Sequence, residues 1–299
     1  MSCAESQTIS LPVSAIATII IPTWNSARFI ERTIQSLLSQ PAAEHLSVLC
    51  VDDGSKDETV SICRELERQD HRIHLIARGH HGVSPTRNAG ILAATTPYIG
   101  FLDSDDCWEE GFFDQSVLKM LDGQTDMIGF GWQTVGQDRI PVRRFESTNA
   151  LICGGYQAVR AGERHFACYF YQRSFLLKHG LLFHPEVQFN EDEVFRTMCL
   201  YRAKQVRLHE KRIFSNLLRT DSLRHQRFPG MGVNHLFKVW EYAWSYFYEN
   251  TPEDKQILHY CLEKVNKYIP KMRELGEMSP QTEMRYAGMC QLSEEEEEA

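Results

Sequence analysis

The stretch Tyr98-Ile99-Gly100-Phe101-Leu102-Asp103-Ser104-Asp105-Asp106 runs from apolar residues straight into three carboxylates. An apolar run of this kind reads as a buried strand. Carboxylates gathered at its end repel one another, and each prefers water, so the cluster needs a reason. Two reasons are open on these residues alone. A hard divalent cation, Mg²⁺ or Mn²⁺, takes oxygen ligands and sits between protein carboxylates and substrate phosphates; in an extended chain Asp103 and Asp105 project to the same side. Alternatively, this is an acidic turn in which Asp105 or Asp106 caps the next helix.

Toward the N-terminus, strand and helix signals alternate. Ala15 to Ile21 reads as a central strand, and Asn25 or Ser26 as the cap of a helix with Phe29, Ile30, Ile34, Leu37 and Leu38 on one face. Val48 to Val51 is a second strand. Ser55-Lys56-Asp57-Glu58 has the form of a capping box before a helix that buries Val60, Cys63 and Leu66. Ile73 to Ile76 is a third strand, and Ser84-Pro85 caps a helix to about Ala94. The predicted fold class is α/β, with a mostly parallel sheet covered on both faces. Ligands of such sheets bind beyond the carboxyl ends of the strands. Thr23-Trp24-Asn25, Asp52 to Ser55, Gly79 to Arg87 and Asp103 to Asp106 all fall at those ends. This convergence favours a site over an isolated helix cap.

Beyond Glu109 the alternation changes. The pattern predicts a helix to about Leu121, strands over Met127–Val135 and Phe166–Tyr171, and a short helix over Arg173–Lys178. A helix from a cap at Asn190 to about Ala203 follows, with Glu193 completing a box, then strands over Val206–Leu208 and Ile213–Leu218. After Pro229-Gly230 the chain reads as helical, first through Leu236, Val239, Trp240, Ala243 and Phe247, then through Ile257, Cys261, Val265 and Ile269. The expected organisation is an N-terminal segment (1–14), one α/β domain (15–228, with halves 15–106 and 107–228), a helical region (229–292) and an acidic tail (293–299).

Of the net charge of -8, five charges lie in Glu294 to Glu298, so the remaining body is close to neutral. That argues against nucleic acid as a partner. Nine scattered cysteines without a Cys-x-x-Cys pair suggest reduced thiols and a cytoplasmic location. Ala15 to Ile21 is too short for a membrane span and has no basic region before it. Peripheral contact with a membrane stays open, for instance through the aromatic segment Trp240 to Tyr248, for which packing is the simpler reading.

Asp53 is placed to accept an imide N–H from a nucleobase, and Trp24 to stack on it; the simpler alternatives are a helix-favouring acid and a core tryptophan. Arg87, on the first turn of a helix opened by a glycine-containing loop, suits a phosphate or a carboxylate partner on the ribose side. His80 and His81 read as polar loop residues rather than metal ligands. Asn190-Glu191-Asp192-Glu193 is a second acidic cluster at a helix start, which either favours the helix dipole or supplies a general base at Asp192.

Together these segments resemble the family 2 glycosyltransferases, inverting enzymes of the GT-A, Rossmann-like fold, including those of bacterial cell-surface polysaccharides. The matching pieces are Ile21-Pro22-Thr23-Trp24-Asn25, Val51 to Asp57, Gly82 to Gly90, Phe101 to Asp106 and Glu191-Asp192, in the family's order over about residues 15 to 225. The resemblance implies a nucleotide site of Pro22, Trp24, Asp53, Arg87, Asp103 and Ser104, a Mn²⁺ or Mg²⁺ ion on Asp105, and Asp192 as catalytic base. It implies a nucleotide-sugar donor, with UDP the expected carrier, and a saccharide or lipid-linked acceptor at the inner face of the membrane. Arg219-Thr220-Asp221-Ser222 resembles a loop that closes near the diphosphate in some relatives, and His225 follows it as a candidate further metal ligand. Trp24 and Pro85 replace a usual tyrosine and alanine, and the Gln-x-x-Arg-Trp motif of processive synthases is missing. A sugar-1-phosphate nucleotidyltransferase would show a glycine-rich basic loop after the first strand, where Pro22-Thr23-Trp24-Asn25 stands. A non-catalytic protein on a decayed transferase fold would be expected to lose its carboxylates first, yet Asp53, Asp103, Asp105 and Asp192 remain.

Overall fold

The structure, a computed structural model, describes residues 15–135, 141–145, 149–162, 165–187, 190–217 and 233–294. The N-terminal segment 1–14, the boundary at 228, Arg219, His225 and the glutamate run from 295 onward lie outside the described residues. The chain groups into two compact units, Met1–Pro185 with Phe195–Arg219, and Glu186–Val194 with Thr220–Ala299.

The first unit is built on a sheet. Its N-terminal strands are β1 (Ala17–Thr23), β2 (Leu46–Asp52), β3 (Ile73–Ala77) and β4 (Tyr98–Phe101), linked by helices α1 (Ile30–Leu38), α2 (Thr59–Gln69) and α3 (Val83–Ala93). Then come β5 (Cys107–Trp108), α4 (Gln115–Leu118), β6 (Met127–Val135), β7 (Pro141–Phe145), β8 (Ala150–Cys153), α5 (Tyr156–Ala161), β9 (Tyr169–Gln172), α6 (Arg173–Lys178), α7 (Glu191–Arg202) and β10 (Gln205–Leu217). Among the described residues the strands form one sheet in the order β3-β2-β1-β4-β9-β6-β10-β5, with β7 on β6 and β8 on β10. Pairing is parallel for β3-β2, β2-β1, β1-β4 and β6-β10, and antiparallel at β9 and β5.

The β-branched run of β1 explains why it is central. Ile19, Ile20 and Ile21 are fully buried, as are Val48, Cys50 and Val51 beside them. Each such side chain contributes about 1.5–3 kcal/mol by leaving water. Gly90 lets α3 lie close against β1, because a Cβ there would meet Ile20 Cγ2 at 2.5 Å. The core continues in aromatics, with Phe101 packed edge-on against Tyr171, Phe183 and Phe195, and Phe183 stacked on Phe195 at 4.0 Å.

Several local expectations are corrected. Asp103 to Asp106 is neither extended nor a helix cap: the Asp106 N–H donates to the Asp103 carbonyl (3.0 Å), and the turn leads into β5, which pairs with β10. The helix expected up to Leu121 is the short α4. Ser55 forms no capping box, because its hydroxyl is taken by Asp52, and α2 buries Thr59 where Val60 was expected. Gly82, not Ser84, precedes α3, and neither Asn25 nor Ser26 supplies a side-chain cap to α1. Phe166–Cys168 is a 3₁₀ turn before β9, and the two late strands are one, β10, with register shifts between His209 and Phe214.

Asp114 caps α4, its carboxylate accepting from the Ser116 and Val117 amides (2.9 and 3.1 Å) and from Lys211 Nζ (2.7 Å). Burial works against its ionisation, but the bonds from Lys211, Ser116 and Val117 outweigh it and hold the carboxyl well below the ordinary range. A lowered folded-state pKa gives stability that is complete above the unfolded value and is lost as acid protonates the folded group. Asp114→Ala is expected to cost about 1 kcal/mol at neutral pH. In urea titrations, its gap from the parent should narrow as pH falls below about 4.

The second unit holds the first turn of α7 and helices α8 (Asn234–Asn250), α9 (Lys255–Asn266), α10 (Ile269–Glu274) and α11 (Pro280–Glu294). Trp240, Trp244 and Phe247 of α8 are buried, so the aromatic segment packs. Ile269 opens α10 instead of extending α9, since Pro270 at its start cannot donate to a continuing helix. No helix among the described residues is long and apolar enough to cross a membrane, and the described cysteines form no disulfide.

Candidate active site

The carboxyl ends of β3, β2, β1 and β4 bring four loops to one edge of the sheet. Two adjacent aspartates divide the work in the second loop. Asp52, 1% exposed, turns its own chain: its carboxylate accepts from the Gly54 and Ser55 amides (3.0 and 2.9 Å), the Ser55 hydroxyl and Thr23 Oγ1 (3.2 Å). Asp53 reaches across to the third loop instead. It accepts from the His81 and Gly82 amides (2.7 and 2.9 Å), at the start of α3, and lies 2.8 Å from His80 Nδ1. A carboxylate at a helix N-terminus is electrostatically favoured. Gly54 is required here, with φ +77° and room for a Cβ only 2.9 Å from the His80 nitrogen.

Trp24 is 51% exposed, which removes the core reading for it, and His80 stacks on its ring at 5.2 Å. The next residue, Asn25, adopts φ 50°. Its N–H donates to Ser55 Oγ (2.9 Å) and its Oδ1 accepts from the Lys56 amide (2.8 Å), so it ties the first loop to the second. The sequence offered Asn25 as a helix cap and as part of a converging loop; its tolerance of the left-handed region was the signal for this tie between loops. Pro22 is half-buried in β1, in register with Val51.

Arg87 is buried on α3. Its Nη2 lies 3.1 Å from Asp103 Oδ1, and its guanidinium sits 4.5 Å from the Phe166 ring and 5.2 Å from that of Phe183. The loop after β4 is fastened to α1: Ser104 Oγ lies 2.7 Å from Ser26 Oγ, the Ser104 carbonyl accepts from Thr33 Oγ1 (2.9 Å), and the Asp105 carbonyl accepts from Arg32 (2.9 Å). Asp106 is buried, while Asp103 and Asp105 are half-buried.

Among the described residues no three His, Cys, Asp or Glu side chains gather as a closed metal cage. Asp103 and Asp105 offer oxygen donors of the type a hard ion takes, and Asp103 is already paired with Arg87. Partly exposed carboxylates two residues apart in a turn suit Mg²⁺ or Mn²⁺, which binds one or two carboxylates and completes its shell with water and substrate phosphates. Asp192 lies in the second unit, half-buried in the first turn of α7, with its Oδ1 accepting from the Glu193 amide (2.9 Å). The structure thus brings Trp24, Asp53, Arg87, Asp103, Ser104 and Asp105 to one edge of the first unit, whereas Asp192 belongs to the other unit.

The family Glycosyl transferase family 2 matches residues 18–185. The chain is 29% identical over 268 residues to the uncharacterized glycosyltransferase EpsJ of Bacillus subtilis, covering 85% of this chain and 74% of that protein. It is 30% identical over 131 residues to a putative teichuronic acid biosynthesis glycosyltransferase, TuaG, of the same organism, covering 44% of this chain and 52% of the relative. Among solved structures, S. aureus TarS 1-349 in complex with UDP-GlcNAc aligns with a TM-score of 0.65 at 19% identity, over 93% of this chain and 81% of that one. The complex of the same fragment with UDP aligns with a TM-score of 0.61 at 17% identity, over 86% and 71%. The strand order, the loops at its carboxyl edge and the family match agree: this chain belongs to the family 2 glycosyltransferases and has their GT-A fold.

Proposed function

We propose that this protein is an inverting, metal-dependent glycosyltransferase that moves a sugar from a UDP-sugar to a hydroxyl of a saccharide or lipid-linked acceptor. The observation that carries this is the convergence of Trp24, Asp53, Arg87 and Asp103 on one edge of parallel strands. Support for the donor comes from the TarS structures, which hold UDP and UDP-GlcNAc. Support for a role in polysaccharide or glycoconjugate assembly comes from relatives named for teichuronic acid, minor teichoic acid and succinoglycan biosynthesis. Work on such acceptors at the cytoplasmic face of the membrane fits the same reading.

The exposed Trp24 ring offers a face for a uracil, with His80 giving way. Asp53 accepts two backbone amide hydrogen bonds, with His80 Nδ1 2.8 Å away, and a carboxylate has about four acceptor positions, so one imide N–H fits without breaking its hold on α3. Asp103 serves the ribose side, with Ser104 and Pro22 shaping the wall. Arg87 adds positive charge toward the phosphates. Asp105 would hold a divalent ion, which would supply Lewis-acid neutralisation of the departing diphosphate. Asp192 takes the proton of the acceptor hydroxyl. The acceptor oxygen bonds to the anomeric carbon as the bond to the diphosphate oxygen breaks, and this single displacement inverts the configuration.

A thermal-shift titration with UDP, GDP and UDP-sugars, with and without Mn²⁺, tests the donor site. A ligand at about a hundred times its Kd adds about 2.7 kcal/mol. UDP compounds should raise Tm more in Mn²⁺ than without it, and Asp105→Asn should remove the Mn²⁺ increment. If no nucleotide shifts Tm, the nucleotide site is wrong. Release of UDP from a donor by the intact chain separates an enzyme from a decayed transferase.

A further inference from the structure

The second unit contains a half-buried ion pair that the proposed reaction does not use. Lys264 of α9 pairs closely with Glu193, and their side chains are 20% and 29% exposed. The ammonium also lies over two aromatic rings, 4.9 Å from the centre of Trp240 and 5.1 Å from that of Tyr260. Burial disfavours the lysine charge, yet the Glu193 carboxylate more than compensates and holds the amine above its ordinary range. Tyr268 joins the same cluster, its hydroxyl pushed up by burial and then by Glu193.

Surface pairs of flexible side chains contribute little and are poorly fixed. This one differs because both rings of the box restrict the lysine, and cations over tryptophan and tyrosine faces are attracted to them. Its partner is the immediate neighbour of Asp192, on the first turn of α7. The Glu193 amide also donates to Asp192 Oδ1 at 2.9 Å. One residue therefore carries both contacts: its side chain is held by Lys264, and its backbone orients the Asp192 carboxylate. Consecutive helical residues point about 100° apart, so Glu193 can be anchored while Asp192 points elsewhere.

We propose that Lys264 is a positioning residue for glycosyl transfer, holding Glu193 so that the first turn of α7 presents Asp192 in one orientation. The inference rests on Asp192 being the general base. A small displacement of a reacting group costs up to about 10²-fold in rate, so the clamp should be visible in turnover.

The test uses the full chain and UDP release from UDP-glucose and UDP-N-acetylglucosamine in Mn²⁺, together with hydrogen exchange of the α7 amides. Lys264→Met should lower kcat by about 10- to 100-fold with little change in donor KM. Lys264→Arg, which keeps the charge and stacks on the rings, should retain most of the rate. In an Asp192→Asn background, Lys264→Met should cause no further loss, because the two act through one carboxylate. Exchange at residues 192–194 should quicken in Lys264→Met and not in Lys264→Arg. If Lys264→Met does not fold, Glu193→Gln removes the charge from the other side and should give the same pattern. Parental kcat in both variants, equal losses in both backgrounds, or unchanged exchange would each overturn the role of Lys264 and leave Asp192 standing. Parental turnover in Asp192→Asn, or no release by the parent chain, would instead remove the base reading itself.

Discussion

Asp192→Asn should reduce sugar transfer by about 10²- to 10⁴-fold, the range a positioned general base supplies, while UDP still raises the thermal midpoint as it does in the parent. The expectation follows from how the carboxylates are divided. Asp52 and Asp53 accept bonds that shape their loops, and Asp103 is engaged by Arg87. On the proposed reading Asp105 holds the ion, and among the aspartates with proposed roles Asp192 is left to accept a proton. Asparagine keeps the shape and the acceptor for the Glu193 amide but cannot take up a proton. A variant that lost nucleotide binding along with transfer would show that Asp192 supports the fold or the donor, and the base would have to be sought elsewhere.

Arg87→Met should have the second largest effect, on stability and donor binding together. The guanidinium is buried between Asp103 and the rings of Phe166 and Phe183. Removing one partner of a fully buried pair costs about 3–5 kcal/mol, because it strands the other charge. Asp103 is partly solvated, with 34% of its side chain exposed, so about 2 kcal/mol is the better expectation after allowing for that water. Urea unfolding measures this loss, and Asp103→Asn in the same chain should restore part of it. Arg87→Lys should recover little, since an ammonium neither spans the fork to a carboxylate nor lies flat between two rings. If Arg87→Met unfolds at the parental midpoint and binds UDP unchanged, the residue is neither a strut nor a phosphate contact.

Much of the first unit was legible because its signals are local. The buried runs of β1, β2 and β4 are short and largely apolar, β1 is rich in β-branched residues, and alternating helices leave a parallel sheet as the natural arrangement. Met127–Val135 and Arg173–Lys178 were also readable, each from one apolar period. The capping residues were not. Ser55, Asn25 and Ser84 have the chemistry of caps, but in the folded chain the Ser55 hydroxyl bonds Asp52 within its own loop, and Asn25 bonds Lys56 on the neighbouring loop, a partner that no local pattern reveals. The turn at Asp103 to Asp106 was misread for the same reason: the short strand after it exists only because β10, a hundred residues later, pairs with it. The candidate site residues were visible as types at strand ends. Their division of labour, such as Asp53 holding α3 while Asp52 holds its own loop, needed coordinates.

That division has a consequence for how donor preference can drift. On the proposed reading, the carboxylate that would read the pyrimidine also fastens the start of the helix carrying Arg87. Exchanging Asp53 to suit another nucleobase would unfasten the phosphate end of the site in the same stroke. Changes of nucleotide should therefore be rare at this position, and diversification among such proteins should fall on the sugar and acceptor walls.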